Sequence, residues 1–302
     1  MTRITIGLIN NMPDSALEAT ETQFSRLLAE AGTDFSVEVR PSSLPGVPRG
    51  EAAAAYIDAN YWPLERILAA PPDAIIVTGT EPLAPDLRSE PYWGALTGLL
   101  DWSLTHTESS LWSCLAAHAA VLHLSGIQRQ RLPQKCCGVF EHEVQAHALT
   151  REIGNPLLRT PHSRWNDLPA ARLRDSGYEI LSHGELTGAN IFLRRTAGHL
   201  AVFLQGHPEY DRDSLLKEYK RDVGRWVRFQ QERYPTLPHD YFTPKALALL
   251  EDFQRRAFSD RRPQVMATFP VEDLQTELRD NWHAATVRLY RNWLHYIAAQ
   301  TH

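Results

Sequence analysis

Leu111-Trp112-Ser113-Cys114-Leu115-Ala116-Ala117 changes character at its centre. The apolar run reads as the end of a strand at Ser113, and 115–124 reads as helix, so Cys114 stands on the turn between them. Similar strands lie on its N-terminal side. Residues 4–9 mix apolar and β-branched side chains and stop at Asn10-Asn11-Met12-Pro13, and 35–39 form a second run. Ala74-Ile75-Ile76-Val77, closed by Thr78-Gly79-Thr80, is a third, and its unbroken apolar run suits a central parallel strand. Residues 16–31 read as a helix stopped by Gly32. Buried strands alternating with helices predict a doubly wound α/β fold with a flavodoxin-like, mostly parallel sheet.

Beyond Cys114 the pattern shifts. Over 131–144 and 178–204, short β-like runs alternate with Gly and polar turns, which predicts a hairpin-rich, partly antiparallel insertion. A helix is expected over about 213–233, followed by a Pro-rich stretch at 235–244 that is the one candidate linker. Leu274, Leu278, Trp282, Val287, Leu289 and Trp293 recur at roughly helical spacing across 271–299. We therefore expect a catalytic domain over 1–235 and a mainly helical C-terminal extension over 236–302 packed on it.

Composition narrows the class. The chain has 302 residues, 43% hydrophobic and 22% charged, as a globular enzyme does. A formal net charge of −5 offers no general attraction to nucleic acid or anionic lipid, so neither is expected as a partner. The apolar stretch at the N-terminus is too short and too alternating for a signal peptide or a membrane span. Three cysteines, Cys114, Cys136 and Cys137, with no secretion signal, point to a reducing, cytoplasmic setting. Cys136 and Cys137 are neighbours on a strand, point to opposite faces, and read as buried thiols. No metal-type Cys/His spacing occurs, and no metal is expected.

Cys114 is the sharpest chemical candidate. At the start of a helix, unpaired backbone amides point at its sulfur and favour thiolate over thiol. The Leu115 N–H would receive a developing oxyanion, with a second donor from the Gly79-Thr80 loop. The competing reading is a small, buried, apolar cysteine. His207 and Glu209 sit two residues apart on an extended segment and so share a face, where a carboxylate orients and charges an imidazole. Pro208 fixes the backbone between them. Taken alone, the tripeptide also fits an exposed turn.

Together these residues resemble the class I glutamine amidotransferase triad. Further segments resemble the homoserine O-acyltransferase (homoserine O-succinyltransferase) family of the same fold. They are Asn11-Met12-Pro13, Glu21-Thr22-Gln23-Phe24, Val77-Thr78-Gly79, Tyr92-Trp93, Gly126-Ile127, Leu132-Pro133-Gln134-Lys135, Gly138-Val139-Phe140-Glu141-His142, Pro161-His162-Ser163-Arg164, Gly206-His207-Pro208-Glu209-Tyr210-Asp211 and Asn292-Trp293-Leu294. In order, they span nearly the whole chain.

The resemblance implies an acyltransferase with acyl-CoA as co-substrate and no permanently bound cofactor. Cys114 would take the acyl group, and His207, oriented by Glu209, would activate the hydroxyl of L-homoserine in methionine biosynthesis. By the same resemblance, Arg221 holds the substrate carboxylate with Glu218 close by, and Lys135, Ser163 and Arg164 belong to the substrate site. A homodimer is a further implication. Donor choice falls on the loop at Glu81 and Leu83, where the family carries Gly in succinyl-transferring members and Glu in acetyl-transferring ones. Leu83 leans slightly towards succinyl. The elbow departs from the family: Leu115-Ala116-Ala117 replaces Trp-Gly-Ala, and His118 stands where Gln is common. Alternative readings are a serine or other hydroxy-amino-acid acceptor, a Cys-His-Glu glutaminase or amide hydrolase, and a retired scaffold used for binding.

Overall fold

The computed structural model describes residues 1–153 and 157–301. In chain order its strands are β1 (Thr2–Ile9), β2 (Phe35–Ser42), β3 (Ala74–Val77), β4 (Ser109–Ser113), β5 (Gln130–Val144), β6 (Leu158–Asp167), β7 (Glu179–Gly184), β8 (Gly188–Thr196) and β9 (His199–Leu204). The helices are α1 (Leu17–Ala31), α2 (Glu51–Asn60), α3 (Leu64–Ala69), α4 (Trp93–His106), α5 (Leu115–Ser125), α6 (Ala170–Asp175), α7 (Ser214–Val227), α8 (Pro244–Ser259), α9 (Val271–Gln275) and α10 (His283–Gln300).

The strands form a nine-stranded sheet ordered β2-β1-β3-β4-β9-β8-β7-β5-β6. From β2 to β9 neighbours run parallel, in the flavodoxin-like order; from β9 to β6 they run antiparallel. The sheet is doubly wound, with the parallel half as expected and the antiparallel half larger than an insertion of short hairpins. One unbroken β5 covers the segment read as short runs, because β6 pairs along most of its length.

Alternation places apolar side chains on both faces. Ile4, Ile6 and Leu8 of β1 pack with Phe24, Leu27 and Leu28 of α1 and with Tyr290, Trp293 and Leu294 of α10. On the opposite face Ile9, Val77 and Trp112 meet Leu96, Leu99 and Leu100 of α4 and Ala116, Ala120 and Val121 of α5. A third cluster joins α7, α8 and α9 around Trp226, Tyr241, Phe253 and Trp282. No helix is long and apolar enough to cross a membrane among the described residues.

Three local expectations need correction. The segment 235–244 is not a free linker. His239 pairs with Gly138 on β5, exchanging Val139 N–H to His239 O at 2.8 Å and His239 N–H to Cys137 O at 2.9 Å, and Tyr241 is fully buried. Gly138 permits this: its φ is +136°, and a Cβ there would lie 2.2 Å from His239 N. Second, α7 ends at Val227 rather than about 233. Phe229 turns to φ 60°, and the guanidinium of Arg261, distant in sequence, binds the Trp226 carbonyl at 2.6 Å. Third, the helical spacing over 271–299 is broken. Between α9 and α10 the chain crosses Tyr241–Thr243 in extended form, with a Phe242–Leu278 bridge and Arg279 N–H to Tyr241 O at 3.2 Å.

Candidate active site

β4 delivers Cys114 from the middle of the sheet. Its backbone angles are φ 52° and ψ −114°, a region ordinary side chains avoid. The turn lifts the residue off the strand while its N–H still bonds Leu204 O of β9 at 2.7 Å. The first intrahelical bond of α5 is His118 N–H to Cys114 O at 3.2 Å, so the N–H groups of 115–117 have no partner within the helix. Gly79 presses against this turn: a Cβ on it would sit 2.7 Å from Leu115 Cβ and 2.9 Å from Leu115 N. The structure therefore brings Leu115 and Gly79 together beside Cys114, and Thr80 follows, partly exposed.

The second arm follows β9. Gly206 packs tightly, since a Cβ there would lie 2.7 Å from Asn190 Oδ1 and 3.0 Å from His162 Cε1. His207 N–H is fixed to Pro161 O at 2.7 Å, and His207 Nδ1 lies 2.8 Å from Glu209 Oε1, both side chains buried. Burial opposes a charged imidazole here. Cys114 and Glu209 outweigh it and hold His207 well above the ordinary histidine value. Tyr210 stacks on the ring with centroids 4.3 Å apart and planes 19° apart.

Tyr210 links this triad to a charged cluster. Its hydroxyl donates to Glu218 on α7, as does Ser163 on β6. Lys135 on β5 lies 2.8 Å from Asp222 and 3.5 Å from Glu218. Burial works against the Glu218 carboxylate, but Lys135, Ser163, Tyr210 and Arg221 hold its pKa below the ordinary value. Arg221 pairs with Asp222 at 3.1 Å and Glu218 at 3.8 Å, and its side chain is 47% exposed, so its guanidinium keeps an open side.

The remaining expected residues are placed differently. Arg164 points away from Ser163, as alternation on β6 requires. Its buried guanidinium is occupied by Asp167 at 2.9 Å, Asn166 O at 2.6 Å and Thr187 O at 2.5 Å. It stands behind the site, not in reach of a ligand among these charges. Glu81 is exposed and lies 3.9 Å from Arg225 of α7. Leu83 is 73% exposed and covers nothing.

A family model described as homoserine O-succinyltransferase matches residues 1–302. A homoserine O-succinyltransferase of Rhodopseudomonas palustris is 45% identical over 298 residues, covering 98% of this chain and 89% of that protein. One from Bradyrhizobium japonicum is 44% identical, covering 98% of this chain and 90% of that protein. The chain belongs to the homoserine O-succinyltransferase family. It is an acyltransferase. A glutamine amido transferase from Methylobacillus flagellatus shares the fold at TM-score 0.53 and 12% identity, covering 98% of this chain and 95% of that one. A Thermotoga maritima glutamine amidotransferase does so at TM-score 0.50 and 15% identity, covering 98% of each.

Within this homoserine O-succinyltransferase family site, sequence reading missed three residues. Tyr210 was quoted only as part of a motif, although its position three beyond His207 lets it stack on the ring. Asp222, four beyond Glu218, shares its helix face and was a legible second carboxylate. Arg129 carries no local signal; only the fold buries it beyond the end of α5, and burial lowers its pKa against the opposing pull of Tyr92, Glu90 and Cys114.

Proposed function

We propose that this chain transfers a succinyl group from succinyl-CoA to the side-chain hydroxyl of L-homoserine, through a thioester on Cys114, in methionine biosynthesis. The observation that carries the reading is the Cys114 elbow facing a His207 held at 2.8 Å by Glu209 in a chain of this family.

The Cys114 sulfur attacks the thioester carbonyl, and the carbonyl oxygen becomes an oxyanion facing the Leu115 and Gly79-Thr80 amides. The C–S bond to CoA breaks, and the CoA sulfur leaves with the proton from His207. Homoserine then enters, Arg221 pairing with its carboxylate while Glu218, held by Lys135, Ser163 and Tyr210, faces its ammonium. His207 takes the hydroxyl proton as the oxygen attacks the acyl carbon, and Cys114 leaves as thiolate. A thiol nucleophile suits the first half, because thioester exchange is nearly isoenergetic.

The test is intact-protein mass spectrometry with succinyl-CoA and no acceptor. We expect one succinyl group added to the wild type, none to Cys114→Ala, and its discharge by L-homoserine rather than by serine. Label retained in Cys114→Ala, or no label together with ammonia release from glutamine, would overturn the reading.

A further inference from the structure

Beside the elbow lies a cavity of about 250 Å³ that no role above uses. His118 and Leu122 of α5 form its floor, and Asp86 and Leu87, from the loop after β3, form its rim. Arg129, just past α5, supplies a wall. The guanidinium is half-buried, and no carboxylate pairs with it at ion-pair distance among the described residues. Burial disfavours its charge and lowers its pKa, while Tyr92, Glu90 and Cys114 act the other way. Glu90 is fixed through Oε1, which accepts from Ala84 N–H at 2.6 Å. Glu90 Oε2 and Tyr92 OH are buried with no hydrogen-bond partner among the described residues. An unpaired guanidinium on the wall of a cavity makes an unfilled carboxylate receptor.

We propose that Arg129, on the wall of this cavity, receives the distal carboxylate of a dicarboxylic acyl group carried on Cys114. The proposal rests on the Cys114 acyl-enzyme above and names the side chains that read the acyl tail. The reach is right. His118 on the cavity floor is about one helical turn, ~5.4 Å of axis, beyond Cys114. A succinyl chain carries its terminal carboxylate about 4 Å from the thioester carbonyl carbon at standard bond lengths. The expected selector on the same loop, Leu83, is too exposed for that task.

A second anion has a claim on this cation. Arg129 also lines an adjoining groove with Gln130 and Arg172, where a CoA phosphate would fit. Three donors separate the two: succinyl-CoA, acetyl-CoA, and the succinyl thioester of N-acetylcysteamine, which has no phosphate. Each is given to full-length wild type, Arg129→Gln and Arg129→Lys, and kcat/KM for acylation is measured. We expect Arg129→Gln to lose roughly ten- to a hundredfold with both succinyl donors, the worth of a charged hydrogen-bonded contact, and little with acetyl-CoA. Arg129→Lys should recover part of the loss. Comparing donors on one preparation cancels any fraction that fails to fold. Equal losses with the two CoA esters and none with the cysteamine ester would assign Arg129 to phosphate and overturn the proposal. Equal losses with all three, or none, would also overturn it. A wild type acylated by no donor would sink the acyl-enzyme reading itself, a result distinct from wild-type acylation with no donor-selective change.

Discussion

At the residue level, the site is a contest between burial and charge. His207 sits where solvent would normally be needed to support a cation, yet Cys114 and Glu209 hold it well above the usual histidine value. Glu209→Gln removes one of them and leaves the shape. Burial then prevails, and the imidazole gives up its proton at lower pH than in the wild type. We expect kcat to fall about 10²–10⁴-fold, the scale of a misoriented acid–base residue. The His207 ring, followed by NMR in histidine-labelled protein, should titrate at lower pH in Glu209→Gln. An unchanged titration would mean that Glu209 positions the ring without charging it. The pairing of these two residues was legible in sequence but its geometry was not: 207–210 form a tight turn, closed by Tyr210 N–H to His207 O at 3.1 Å, in place of the expected extended segment, and the turn brings the carboxylate to the ring.

At the level of elements, α10 holds the catalytic loop from behind. Thr286 Oγ1 donates to Pro208 O at 3.0 Å, Trp282 Nε1 donates to Tyr210 O at 3.0 Å, and the Glu209 charge, after burial, raises the Tyr290 phenol. Thr286→Val keeps the volume and removes the first bond. We expect a loss of about 1 kcal/mol in urea unfolding, with a several-fold drop in kcat and little change in KM. A stability loss with kcat intact would show that α10 supports the fold and not the loop. The strands and the elbow were legible because their signals are local: apolar runs, Gly stops, a cysteine where strand becomes helix. The end of α7 and the gap between α9 and α10 were not. Arg261 at the Trp226 carbonyl and the Phe242–Leu278 bridge join segments far apart in the chain, and periodicity carries no record of a distant partner. Arg164 escaped for a related reason. Its motif places it next to Ser163, and only the pairing of β6 with β5 shows that neighbours on a strand serve opposite faces.

Over the whole molecule, burial keeps three histidines neutral: His142 on β5, His162 on β6 and His118 on α5. His142 Nδ1 donates to Leu158 O at 3.3 Å, so its Nε2 accepts from Thr187 Oγ1 at 2.9 Å and His162 Nε2 at 3.2 Å. His162 Nδ1 in turn accepts from Arg164 Nε at 3.3 Å. A further proton on either ring would meet a donor. Burial first, then Arg164, holds His162 well below its ordinary value; burial holds His142 at about 4 and, helped by Arg164, His118 at about 3. Unfolded, each titrates near about 6.5. Above that pH both states are neutral and nothing is lost. As pH falls below it, the unfolded chain binds protons that the folded one refuses, so each ring removes up to about 1.4 kcal/mol per pH unit until its folded value is reached. His207 runs the other way: its raised value adds stability that is complete below about 6.5 and lost as pH rises through its folded value, so below about 6.5 it is constant and leaves the slopes of the other three unchanged. The lowered carboxylates Glu218 and Asp222 act only nearer their ordinary values of 4.5 and 3.8, which leaves pH 7 to 5 to the histidines. The urea midpoint should therefore fall between pH 7 and 5. In His118→Gln, whose amide can still donate to Gln205, it should fall less steeply. Parallel slopes for the two proteins would show that His118 is protonated in the folded state, contrary to its burial against Arg164.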